Sequence, residues 1–151
     1  MWRAFAKHHA WVAGVAGNHD TYGTREDQAR FAVEPRIHLL DGGCVELGGV
    51  RVGGVGGIIG DPRKPGRRDE REFLRAMRAV LASRPAALVM HHGPDASRGA
   101  LRGHPMIRRT LDRSDELLVI CGHVYWPAPV TTLRGGAQVL NVDGRVVVLQ
   151  R

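Results

Sequence analysis

Lysine is almost missing from this 151-residue chain: Lys7 and Lys64 stand alone, and a formal charge of +7 is carried almost wholly by arginine. The arginines are spread along the chain, which fits an Arg-, Ala- and Gly-rich coding bias better than a continuous polyanion-binding face. The one dense group is Arg63, Lys64, Arg67 and Arg68, in a stretch rich in proline and glycine. Aromatic residues are few, at 5%, and none is interleaved with that group, which argues against a stacking platform for single-stranded nucleic acid. Cysteine is limited to Cys44 and Cys121. They form no C-x-x-C pair and sit in apolar surroundings, as expected of buried free thiols in a reducing compartment. No apolar run approaches the length of a membrane span. A phosphate-binding loop is missing too. Gly54-x-Gly56 would need a third glycine where Ile59 stands, and Asp61-Pro62 follows in place of a helix. The glycines of that stretch are expected to let strands approach closely.

What remains describes one globular α/β domain. A hydrophobic fraction of 43% and a charged fraction of 25% are ordinary for a chain able to bury a core without staples. Residues 1–9 read as the last turns of a helix. Thr24 caps a second helix, with Asp27 three residues on, that runs to about Phe31 before Pro35. Residues 37–40, 44–47 and 50–55 read as a three-stranded meander. Residues 69–83 are the clearest helix: Phe73, Leu74, Met77, Val80 and Leu81 form one apolar stripe, and Pro85 lies beyond its end. A short helix is expected over 105–111. Strands are expected over 130–133, 138–142 and 145–149, the last two joined at Asp143-Gly144.

Three apolar strands end in ligand-capable side chains. The run 11–16 leads into Gly17-Asn18-His19-Asp20, the run 87–90 into His91-His92-Gly93-Pro94, and the run 117–121 into Gly122-His123. Open α/β sheets place their sites at the carboxyl ends of strands. One carboxamide and two imidazoles, from Asn18, His91 or His92, and His123, suit a borderline divalent ion such as Mn, Fe or Zn. His8, His9, His38 and His104 lack that strand-end placement and read as surface or hydrogen-bonded histidines.

In this order and form the stretches resemble the calcineurin-like metallophosphoesterases. Gly17-Asn18-His19-Asp20 matches that family's G-N-H-D/E, His91-His92-Gly93-Pro94 its H-H-x-P, and Gly122-His123 the first half of G-H-x-H. Leu140-Asn141-Val142-Asp143 is similar to its closing hairpin. The resemblance implies a four-layer αββα sandwich and hydrolysis of a phosphate mono- or diester by metal-activated water. It also implies that Asn18, His91 and His123 are metal ligands and that His19 is the acid or transition-state donor. Asp20, His92 and Tyr125 would support the ligands or meet the substrate.

The family's D-x-H and G-D-x-x-D have no counterpart before Gly17, and Tyr125 stands where the second histidine of G-H-x-H belongs. Residues 1–151 are therefore expected to form a single domain of this type, N-terminally truncated and lacking its first βα units. One of the family's two metals would be retained. The expected partner is a phosphate ester in the cytoplasm; a membrane is not expected, and nucleic acid is not indicated. Self-association is expected of a sheet that has lost a neighbour. The alternative, from another class, is a non-catalytic module on the same fold that binds phosphate, nucleic acid or a partner chain through Arg63 to Arg68.

Overall fold

The computed structural model describes residues 2–96 and 101–149. Helix α1 (Trp2–Ala6) leads into strand β1 (Val12–Gly14), and α2 (Arg25–Ala32) leads into β2 (Ile37–Leu39). Thr24 and Asp27 form a reciprocal capping box, so the start of α2 follows from local chemistry. Then come β3 (Gly43–Leu47), β4 (Val50–Val55), and two short strands, β5 (Ile58–Ile59) and β6 (Arg67–Arg68). Helix α3 (Glu70–Ala82) is capped by Asp69, whose side chain accepts from the Glu72 N–H at 2.8 Å. Strand β7 (Ala87–His92), α4 (Pro105–Leu111), β8 (Leu118–Gly122), β9 (Val130–Thr132) and β10 (Gln138–Asn141) complete the order.

Six strands form the main sheet in the order β3-β4-β7-β8-β10-β9. The inner pairs β4–β7, β7–β8 and β8–β10 are parallel, and both edge pairs are antiparallel. Adjacent residues of β4 show what covers each face, because successive side chains in a strand point to opposite sides. A side chain at Gly53 would run into Val80 of α3; one at Gly54 would run into Leu40, just past β2. Helices therefore lie on one face and the parallel β1–β2 pair on the other. Trp2 of α1 closes over the far side of β1 at Gly14, where a Cβ would meet its ring at 2.6 Å. The layers run α3/α4, main sheet, β1–β2, α1/α2, as the αββα expectation requires.

The largest core lies under α3. Phe73, Leu74, Met77 and Val80 are buried there against Val55, Leu88, Met90, Val119 and Val139 of the sheet. Each such side chain contributes about 1.5–3 kcal/mol by leaving water, which makes this the most strongly held part of the fold.

Two sequence expectations need correction. The three-stranded meander does not form: β2 pairs in parallel with β1, and only β3 and β4 make a hairpin. Nor is there a final hairpin, since 145–149 is not a strand and Val146, Val148 and Leu149 are exposed. β-Propensity sees the apolar residues of a segment but not whether an edge is free to receive it.

Candidate functional site

The three strand ends converge. Asn18, only 8% exposed, places Oδ1 3.0 Å from Nε2 of His91. The rings of His91 and His123 lie 5.0 Å apart between centroids. Glycine at position 17 permits this approach, for a Cβ there would start 2.9 Å from Cε1 of His91. The loop is held from within by Asp20, which accepts from the Gly17 N–H at 2.7 Å.

The adjacent histidines of β7 face opposite sides of the sheet. His91 faces Gly17 and Asn18, on the β1 side of the sheet. His92 turns to the α3 side, where it meets Phe73, and its Nδ1 accepts from the Ile59 N–H at 3.1 Å. That acceptor role leaves its proton on Nε2. Its ring also stands 5.5 Å from those of His104 and His123. His92 is thus a brace beneath the cluster, and burial, then His123, push its imidazole down to about 4. Burial followed by His123 also lowers His91. His123 is lowered chiefly by burial, against which the Asp143 carboxylate works.

His123 sits at φ 71°, in the left-handed region that costs a non-glycine residue about 1–2 kcal/mol. Asn141, 1% exposed, secures the loop that carries it. Its Nδ2 donates to the Val124 carbonyl at 2.9 Å, and its Oδ1 accepts from the Asp143 N–H at 3.0 Å.

The remaining predicted residues are peripheral. His19 is exposed beside Asn18. Tyr125 is 59% exposed and lies under the Arg145 guanidinium, 4.7 Å from its centroid. Among the described residues, no three His, Cys, Asp or Glu side chains are grouped as metal donors. Within the basic stretch Arg63 pairs with Asp61 at 2.9 Å and Arg68 with Asp41, while no ion pair among the described residues includes Lys64 or Arg67.

Asp143 and Arg67 are neighbours of the cluster that sequence reading missed as site residues. Asp143 belonged to an expected hairpin turn, although its place beside Asn141 in the closing motif was a usable signal. Arg67 carried no signal beyond its charge.

The chain matches the model of the calcineurin-like phosphoesterases over residues 1–127. It belongs to that family. The crystal structure of TT1561 of Thermus thermophilus is similar in fold, with a TM-score of 0.72 and 18% sequence identity over 94% of this chain and 67% of that one. No curated protein matches the chain. Calcineurin-like phosphoesterases act on phosphate esters and generally bind divalent metals. In this member, no helix among the described residues is long and apolar enough to cross a membrane.

Proposed function

We propose that this calcineurin-like phosphoesterase hydrolyses a phosphate mono- or diester with one divalent transition ion, Mn, Fe or Zn, held by Asn18, His91 and His123. The observation that supports the reading is convergence: Asn18 Oδ1 and His91 Nε2, hydrogen-bonded at 3.0 Å, and the His123 ring, 5.0 Å from that of His91, bring three strand-end donors together. The donor set of one amide oxygen and two imidazoles fits such an ion, and His123 supplies the third donor.

The reading assigns a single ion because the converging strand-end donors are Asn18, His91 and His123, and Tyr125 lies under the Arg145 guanidinium. Activity well below that of a two-metal site follows. The bound ion would supply Lewis-acid polarisation of a phosphoryl oxygen and a water of lowered pKa.

The chain's own residues do the rest. His19, exposed at the mouth, donates a proton to the leaving oxygen. Asp20 keeps the Gly17–Asp20 turn closed so that Asn18 stays aimed at His91. His92 braces the floor as a neutral ring. Two unpaired thiols, Cys44 and Cys121, support a cytoplasmic setting.

The deciding experiment is elemental analysis after reconstitution with Mn or Zn, alongside hydrolysis of aryl phosphate mono- and diesters. About one equivalent of metal or less is expected, with slow hydrolysis that a chelator abolishes. Two tightly held equivalents, or hydrolysis untouched by chelation, would overturn the single-ion centre.

A further inference from the structure

Among the charged groups around the cluster, Arg67 is distinctive. Of the nearby arginines, Arg63 is paired with Asp61 and Arg68 with Asp41. Among the described residues, none of the ion pairs includes Arg67.

Its position is dictated by backbone. Strand β6 pairs in parallel with β5, Arg67 opposite Ile58. Gly66, at φ 65°, feeds the chain into that strand while lying against Asn18, where a Cβ would start 2.6 Å from the Asn18 Cα. The backbone that carries Arg67 is thereby anchored against the Asn18 loop. The stem of Arg67 then passes Gly60, its Cδ 3.2 Å from where a Cβ would stand.

A cavity of about 250 Å³ opens here, lined by Gly17, Gly56, Gly57 and Gly66 together with Arg67 and Arg68. Asp41 is also on its wall, but that carboxylate is already taken by Arg68 and by the Gly56 N–H. The wall is largely backbone, and Arg67 is the cation on it that no ion pair among the described residues includes. Guanidinium binds phosphate oxygens bidentately, and a half-enclosed cavity screens the pair less than open solvent does.

We propose that Arg67 and this cavity form a subsite for a second phosphate of the substrate, adjacent to the one that is cleaved. The inference rests on the phosphoesterase reading above and narrows the substrate class to phosphate esters carrying a further phosphate. That phosphate is either the second group of a diphosphate or the next phosphodiester of a nucleic-acid strand.

The test measures binding of inorganic phosphate, pyrophosphate and a short oligothymidylate. The proteins are the wild type, Arg67→Ala, Arg67→Lys and Arg63→Ala, at fixed free Mn and again with chelator. Wild type is expected to hold pyrophosphate about tenfold more tightly than phosphate, the effect of one charge-assisted contact. Arg67→Ala should erase that preference without weakening phosphate itself. Arg67→Lys should restore part of it, and Arg63→Ala should change nothing. A tenfold loss of oligothymidylate binding in Arg67→Ala would point to the nucleic-acid source, and a loss confined to pyrophosphate to the diphosphate source. Absence of any preference in wild type, or a preference that survives Arg67→Ala, would overturn the subsite. Failure of the metal centre is read separately, as phosphate affinity that chelator does not change.

Discussion

Asn18 and His91, 73 positions apart in the chain, meet through Oδ1 and Nε2 at 3.0 Å. Each is delivered by a different sheet, so the contact ties the β1–β2 layer to the main sheet at the candidate centre. Asn18→Ala removes one of the proposed ligands and leaves His91 without its hydrogen-bond partner. The expected result is a melting midpoint that excess Mn no longer raises, against a clear rise in wild type. With chelator the cost should be about 1 kcal/mol, the net worth of a half-buried hydrogen bond. An undiminished Mn response in the variant would remove Asn18 from the ligand set.

The strained backbone at His123 allows ligand and packing roles to be separated. His123→Ala and His123→Gly both lose the imidazole, and neither should respond to Mn. Only glycine is at ease at φ 71°, so with chelator the Gly variant should be more stable than the Ala variant by about 1 kcal/mol. Denaturant melts of both proteins decide it. Equal stabilities would mean that the loop relaxes out of the left-handed region once the ring is gone.

His92 gives a pH signature. Folded, its imidazole is pushed down from 6.5 to about 4, while the unfolded chain keeps the ordinary value. Between those limits the unfolded state binds more protons, so stability rises with pH across the window and is lost as pH falls through it. His92→Asn retains an acceptor for the Ile59 N–H but cannot titrate. Its loss of stability from pH 7 to pH 4.5, measured with chelator, should be smaller than that of wild type by on the order of 2 kcal/mol, discounted for partial solvent contact. Identical pH profiles would show that the ring is not held neutral.

Gly66 is expected to be intolerant of any side chain. Its φ is 65°, and a Cβ would press on the Asn18 backbone at 2.6 Å. Gly66→Ala should destabilise by about 1–3 kcal/mol and weaken the Mn response by displacing Asn18. A variant with wild-type melting and wild-type Mn response would show that the β6 approach does not position the ligand.

The two thiols should differ in reactivity. Burial pushes Cys121 up to about 12, and it is 1% exposed, whereas Cys44 is half-buried. Iodoacetamide at pH 8 should label Cys44 and spare Cys121 until denaturant is added, as read by mass spectrometry. Equal labelling rates in the native protein would mean that β8 opens far more readily than its central place in the sheet implies.

The sequence by itself determined the local features. Thr24 and Asp27 cap α2 through contacts three residues apart, the stripe from Phe73 to Val80 requires a helix with one buried face, and three apolar runs end in Asn18, His91 and His123. These features are legible because their causes lie within a few residues of one another. Partnership was decided only by tertiary structure. Residues 37–40 read as part of a meander and 145–149 as a strand, yet β2 joins β1, and the second run lies unpaired. Tertiary structure also turned His91 and His92 to opposite faces, set Asn141 under the His123 loop, and brought Gly66 against Asn18. A segment's period tells it which residues to bury, but which neighbour buries them depends on every other segment competing for the same edge or face.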